Sequence, residues 1–202
     1  SMKQSGKKIA AITCYHAVHS KIISKTGIDI VLVGDSLSMV LLGNEDTLSA
    51  TLDLMVLFTK AVSRHASLPL VVGDMPYRTY GENMKDTLKN AGRFIEEGGA
   101  DAVKLEGAGG IIEHIEALVK NGIPVMGHLG LTPQSCHELG GFKVQGKTKD
   151  AADKIKREAK MLENAGVFSV VLECVPRGLA REVSESVSIP VIAVSYTHLR
   201  AH

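Results

Sequence analysis

The chain has 202 residues, of which 45% are hydrophobic and 22% charged, with a formal net charge of +1. That apolar fraction excludes a disordered chain. The near balance of 23 Lys+Arg against 22 Asp+Glu points neither to nucleic acid nor to an acidic solvating tail. No run of 18 apolar residues offers a membrane span, and the start lacks the apolar core of a signal peptide. Cys14, Cys136 and Cys174 lie too far apart for a disulfide framework or zinc-ligand spacing, and read as inert small hydrophobes. A cytoplasmic protein with no nucleic-acid or membrane partner is expected.

Seven short runs rich in Val and Ile follow one another along the chain. They cover residues 8–13, 28–35, 68–74, 100–106, 123–128, 167–173 and 189–194. Their near-continuous apolarity, without polar alternation, predicts strands buried on both faces, as in a parallel sheet. Between them, residues 51–66, 84–97, 110–121, 149–165 and 178–187 carry apolar residues at helical spacing. Thr51 or Ser49 is a candidate cap for the first helix, and Gly98, Gly122 and Gly166 follow three of them as helix-ending residues. Alternating strands and helices with no intervening linker predict one parallel α/β domain. The alternation itself fits an open doubly wound sheet and a closed barrel equally.

The strand ends separate these two. Five consecutive runs finish in ionisable residues: Asp35, Asp74, Lys104 with Glu106, His128, and Glu173. In a (β/α)8 barrel the C-terminal strand ends meet at one mouth, whereas an open sheet gathers polar groups from fewer strands at one crevice. The distribution favours the barrel. For each residue a structural role stands beside the functional one. Asp35 and Asp74 follow Gly34 and Gly73, which let a backbone approach a ligand closely or simply make a turn, and either aspartate could be a cap. Lys104 sits inside Ala-Val-Lys-Leu, where an unpaired ammonium is costly. Glu106, two residues on, shares its strand face, so the two form either a structural ion pair or a functional one. His128 is a core histidine or a site residue. Burial of Glu173 would raise its pKa toward that of a usable general base. Gly107-Ala108-Gly109-Gly110 precedes a helix but matches no dinucleotide or P-loop spacing, and reads as a turn. Three carboxylates, a lysine and a histidine suit a hard divalent cation such as Mg²⁺. A cation beside a buried lysine suits an α-keto acid and the enolate formed from it.

Taken in order, several segments carry a resemblance. They are Val33-Gly34-Asp35-Ser36-Leu37, Gly73-Asp74-Met75-Pro76, Val103-Lys104-Leu105-Glu106-Gly107, Gly127-His128-Leu129-Gly130-Leu131-Thr132-Pro133-Gln134-Ser135, Gly140-Gly141-Phe142-Lys143-Val144-Gln145-Gly146 and Val171-Leu172-Glu173-Cys174-Val175-Pro176. Together they resemble the 3-methyl-2-oxobutanoate (ketopantoate) hydroxymethyltransferase family, from about residue 2 to residue 192. The resemblance implies a TIM barrel of the phosphoenolpyruvate/pyruvate type. It implies transfer of a hydroxymethyl group from 5,10-methylenetetrahydrofolate to 3-methyl-2-oxobutanoate, through a metal-stabilised enolate, in pantothenate biosynthesis. Carried over residue by residue, Asp35, Asp74 and Glu106 correspond to the Mg²⁺ site, Glu106 close to the metal and through water. Asp35, Ser36, Asp74 and Lys104 correspond to keto-acid contacts, and Glu173 to the proton acceptor. His128 is an additional site candidate without an assigned role. The family also implies a cytoplasmic homo-oligomer, commonly a decamer.

Ser38 and His16 stand where the family usually has Gly and Asp. Residues 193–202 depart from the family pattern altogether, and Ser1-Met2-Lys3-Gln4 enters it partway through a segment. A barrel domain over 1–192, C-terminally truncated after about seven strands and followed by an atypical tail, is therefore expected, since a complete barrel takes about 250 residues. Such a barrel would leave the first and seventh strands with unpaired edges. The competing functional readings are another Mg²⁺-dependent C–C lyase of the same barrel type, and an inactive fragment.

Overall fold

The computed structural model describes residues 2–135, 141 and 143–194. Cys136, Gly140 and Phe142, and residues 195–202 of the expected tail, lie outside the described residues. Seven parallel strands form one sheet in sequential order: β1 (Ala11–Thr13), β2 (Ile30–Val33), β3 (Leu70–Asp74), β4 (Ala102–Glu106), β5 (Val125–Gly130), β6 (Ser169–Glu173) and β7 (Val191–Val194). Every neighbouring pair is parallel, with a helix crossing over between strands, and the sheet curls into a nearly closed TIM barrel. The helices are α1 (Ala17–Ile23), α2 (Leu37–Val40), α3 (Leu52–Ser63), α4 (Met84–Glu96), α5 (Ile112–Lys120), α6 (Lys149–Asn164) and α7 (Arg177–Ser186). The short helices α1 and α2 were not expected, because seven and four residues give too little periodicity to register.

Burial on both strand faces is what the sequence pattern required, and the structure assigns each residue its side. Val31, Val33, Val71, Val103, Leu105, Val125, Leu129, Val170 and Leu172 belong to the large core between sheet and helices, with Met55, Phe94, Ile115, Leu118 and Leu162. Ile30, Val72, Ala102, Met126 and Val171 pack against one another in a second cluster inside the barrel. Strand period two then dictates the rest. Asp74 lies two residues beyond Val72, Lys104 and Glu106 two and four beyond Ala102, His128 two beyond Met126, and Glu173 two beyond Val171. All five continue the inward face and end in the mouth.

The glycines before these residues serve the opposite face. A Cβ on Gly73 would run into the Phe94 ring of α4, and one on Gly127 would lie 2.8 Å from Leu162 Cδ1 of α6. Their small size admits a helix to the outer face rather than a ligand to the inner one. The helix ends follow the expected chemistry with one shift. Thr51, not Ser49, caps α3 by accepting from the Leu54 N–H. Gly122 (φ 80°) and Gly166 (φ 90°) adopt the left-handed conformation, but after α4 it is Gly99 (φ 67°) rather than Gly98 that does so.

β1 pairs with β2 and β7 with β6, leaving a seam between β1 and β7 among the described residues. β7 continues through Ala193 and Val194, beside Leu172 and Glu173, two residues past the boundary expected for the barrel. All three residues of β1 are exposed. Near the seam, Lys3 Nζ donates to the carbonyls of Ser184 (2.6 Å), Val187 (2.7 Å) and Ile189 (2.9 Å). It thereby meets the Ser184 and Val187 carbonyls at the end of α7, which lack helical partners, and the Ile189 carbonyl in the segment that follows.

Two outcomes are expected. Gly73→Ala should cost roughly 1–3 kcal/mol by overpacking, read as a melting temperature lowered by several degrees in calorimetry. The exposed β1 and β7 edges should make the 202-residue chain self-associate in sedimentation experiments; a monodisperse monomer with a single sharp melt would contradict this.

Candidate active site

The mouth holds a cavity of about 800 Å³ whose lining includes Asp35, Ser36, Asp74, Lys104, Glu106, His128 and Glu173. Every site residue expected from the sequence therefore borders one space, although Asp35 and Glu173 are separated by most of the chain. Sheet register makes the closest pairs. Asp74 lies opposite Lys104, and Glu106 opposite His128.

Lys104 is at the centre. Its Nζ lies 2.8 Å from Asp74 Oδ1, 3.5 Å from Glu106 Oε1 and 3.1 Å from His128 Nδ1. Its side chain is 4% exposed, against 2% for Asp74 and 3% for Glu106. Burial opposes its charge, but the carboxylates of Asp74, Glu106 and Asp35 outweigh burial and raise its pKa. The lysine is thus a fixed cation rather than a base. The ion pair with Glu106 that the sequence allowed is present, and both of its members line the cavity.

The carboxylates divide into two kinds. Glu106 is held down at about 2: burial works against its ionisation, and Lys104, His128 and the backbone N–H of Gln134 overcome it. Asp74 is pushed up to about 8 by burial and by the charges of Asp35 and Glu106, with Lys104 only partly offsetting them. Asp35 is also raised, by burial first and then by Glu106, against Lys104. Negative charge therefore exceeds what the lysine neutralises. Asp74 Oδ1 is buried without a partner in hydrogen-bond geometry, despite the nearby ammonium.

His128 bridges Glu106 and Glu173. Its Nδ1 lies 3.2 Å from Glu106 Oε1, and its Nε2 3.3 Å from Glu173 Oε2, without hydrogen-bond geometry at Nε2. Burial and Lys104 oppose its protonation; the two carboxylates outweigh them and raise its pKa. Glu173 is more open than expected, at 20% exposure, because it closes β6 at the rim and faces the cavity. Ser36 reaches Tyr15, with the two hydroxyls 2.9 Å apart.

Two residues escaped the sequence reading. Gln134, in the 3₁₀ turn Pro133–Ser135 after β5, is buried and bonded to Asp35 and Glu106. Tyr80, in the loop after β3, donates its hydroxyl proton to Gln134 Oε1 at 2.7 Å and accepts from the Glu106 N–H at 3.1 Å. Neither lies at a strand end; Gln134 falls within the 127–135 segment of the resemblance but has no role assigned there, and nothing in the sequence around Tyr80 marks it as part of the mouth.

An ionisable cluster at the C-terminal strand ends of a parallel barrel defines the class as a (β/α) barrel enzyme. Among solved structures, phosphonopyruvate hydrolase in complex with oxalate and Mg²⁺ superposes with a TM-score of 0.72 at 13% identity, over 97% of this chain and 71% of that one. 2,3-Dimethylmalate lyase, a member of the PEP mutase/isocitrate lyase superfamily, gives 0.68 at 14% identity, over 96% and 70%. These likenesses establish the fold. The family model for ketopantoate hydroxymethyltransferase matches residues 1–197. The 3-methyl-2-oxobutanoate hydroxymethyltransferase of Clostridium botulinum strain 657 (type Ba4) is 54% identical over 193 residues, 96% of this chain and 70% of that protein. The enzyme of the same name from Acetivibrio thermocellus is 52% identical over 192 residues, 95% and 68%. The chain belongs to the ketopantoate hydroxymethyltransferase family, a family of hydroxymethyl-transferring enzymes.

The charge imbalance has a thermodynamic consequence. A carboxyl whose folded pKa is raised from 3.8 to about 8 stabilises the fold while it keeps its proton, and that contribution is lost as pH rises from about 4 through 8. In chelator-treated protein, Asp74→Asn should therefore raise the melting temperature at pH 8.5 and leave it nearly unchanged at pH 4, measured by thermal melts at the two pH values.

Proposed function

We propose that the mouth transfers a hydroxymethyl group from 5,10-methylenetetrahydrofolate to 3-methyl-2-oxobutanoate, forming ketopantoate for pantothenate biosynthesis. The observation that carries this reading is the buried Lys104 ammonium among Asp74, Glu106 and Asp35, a fixed positive charge in a carboxylate-rich cavity open to a small keto acid. Family membership supplies the substrates.

The donors fit Mg²⁺. They are hard oxygen ligands, they carry surplus negative charge, and Asp74 Oδ1, buried 2.8 Å from the Lys104 ammonium, accepts no well-aligned hydrogen bond. Among the described residues no three His, Cys, Asp or Glu side chains converge in ligating geometry. The family resemblance supports Asp35 and Asp74 as direct ligands, with Glu106 acting through water. When bound, the ion supplies Lewis-acid charge stabilisation at the keto oxygen. Lys104 offsets the substrate's negative charge from a position that costs no reorganisation during the reaction. Ser36, positioned by Tyr15, donates to the substrate from the β2 side. Glu173, open to the cavity, accepts the C3 proton, and His128 Nε2 stands beside the carboxyl that receives it. The C3 carbanion, delocalised as the enolate, then bonds to the methylene carbon of the folate. Both C–N bonds of that carbon break, water supplies the hydroxyl oxygen of the new CH₂OH group, and tetrahydrofolate leaves with a proton on each freed nitrogen. The family pattern further supports a cytoplasmic homo-oligomer, commonly a decamer.

The test supplies the protein with 3-methyl-2-oxobutanoate, Mg²⁺ and the folate, and follows ketopantoate formation and C3–H exchange in D₂O by NMR. Glu173→Gln should lower exchange by about 10²–10⁴-fold, the usual worth of a general base, while cation binding persists. Undiminished exchange would refute Glu173 as the base. Turnover of a branched malate without ketopantoate would favour a C–C lyase instead.

A further inference from the structure

The Gln134 side chain occupies a position that chain proximity does not explain. It is 6% exposed and lies 99 residues from the aspartate it contacts. Its Nε2 donates to Asp35 Oδ2 at 2.9 Å and to the Met75 carbonyl at 2.9 Å. Its Oε1 accepts from the Tyr80 hydroxyl at 2.7 Å, and its backbone N–H donates to Glu106 Oε2 at 3.0 Å. Both amide protons and the carbonyl are thus committed. The network also fixes which way the amide points. Asp35 and the Met75 carbonyl accept hydrogen bonds, so the nitrogen must face them. The Tyr80 oxygen already takes the Glu106 N–H, so its own proton faces the amide oxygen.

This arrangement supplies something the sheet does not. Asp74 and Glu106 are strand residues held by ladder pairing. Asp35 lies two residues beyond the end of β2, in a turn. Among the described residues, the one hydrogen bond its carboxylate accepts comes from Gln134. Through its side chain and backbone, one residue therefore ties Asp35 of the β2 end, the Met75 carbonyl just after β3 and Glu106 of β4 to one another. Hydrogen bonds from outside a cation site set the orientation of the ligating carboxylates, and losing one commonly lowers metal affinity by about 10–100-fold.

We propose that Gln134, braced by Tyr80, is a positioning residue that aims Asp35 relative to Glu106 for cation binding. This rests on the reading of Asp35 and Asp74 as cation ligands. The test titrates the full chain with Mn²⁺, free ion being read by EPR, for the native protein and for Gln134→Met, Tyr80→Phe and Asp74→Asn. Far-UV circular dichroism and thermal melts accompany each titration. Gln134→Met keeps the side-chain length and removes all three amide contacts, so Mn²⁺ should bind about tenfold or more weakly to the folded variant. Tyr80→Phe should shift affinity in the same direction by less, and Asp74→Asn should abolish binding. A purely structural role for Gln134 would lower the melting temperature and leave the affinity of the folded protein unchanged. That result, with binding lost in Asp74→Asn, overturns the positioning role alone. Native affinity in Asp74→Asn overturns the cation site and the proposal with it. If Gln134→Met does not fold, Gln134→Asn carries the same expectation, because its amide falls one methylene short of Asp35.

Discussion

A buried ammonium surrounded by carboxylates is the constraint on which the site depends. Lys104 points into the barrel because it lies at an even spacing from Ala102, and no apolar neighbour could satisfy it there. Asp74 and Glu106 meet it because parallel register places one opposite it and strand period two places the other on its own face. Removing Glu106, the acid held ionised beside it, would leave a charge in low dielectric with less to compensate it. The mouth is therefore one coupled unit, and the role of each member follows from its place around this lysine.

The unit is over-supplied with acid. One lysine faces Asp35, Asp74 and Glu106, and the system responds by holding Glu106 ionised while raising Asp74 and Asp35. A protein optimised for stability alone would not retain this imbalance, since burying a carboxylate beside two others opposes folding at neutral pH. Sites built for chemistry commonly show such perturbed groups. Here the surplus is what makes a divalent cation a chemically sensible occupant, and the rim position of Glu173 leaves its carboxylate open to the cavity.

The barrel and its mouth divide the work between two faces of the same strands. Outward, Gly73 and Gly127 give way to Phe94 and Leu162, so that α4 and α6 pack closely. Inward, the next residue in each strand, Asp74 or His128, faces the cavity at the mouth. A glycine before a polar strand end thus allows tight helix packing at the level where the site is built, which is a packing reason for a pattern that otherwise reads as a ligand-binding turn. The loops add what strands cannot. The turn after β5 delivers Gln134, and the loop after β3 delivers Tyr80.

Much of this was legible in the chain. Seven apolar runs alternating with amphipathic segments determine a parallel α/β domain, because only strands covered on both faces tolerate such continuous apolarity. Ionisable residues at five successive strand ends predict a cluster at one mouth, and Asp35, Asp74, Lys104, Glu106, His128 and Glu173, identifiable from that pattern, line one cavity. The same double burial hides other information. When both faces are apolar, the sequence carries no mark of which residues point inward, so the glycine faces and the pairing of Lys104 with Asp74 were decided by register. The helices α1 and α2 were too short to show a period. The contacts of Gln134 and Tyr80 were invisible because they span 99 and 26 residues, to Asp35 and Glu106, and arise only when the sheet curls and brings separate loops over one opening. Local composition determined the architecture and the reactive groups; long-range geometry alone decided how those groups are aimed.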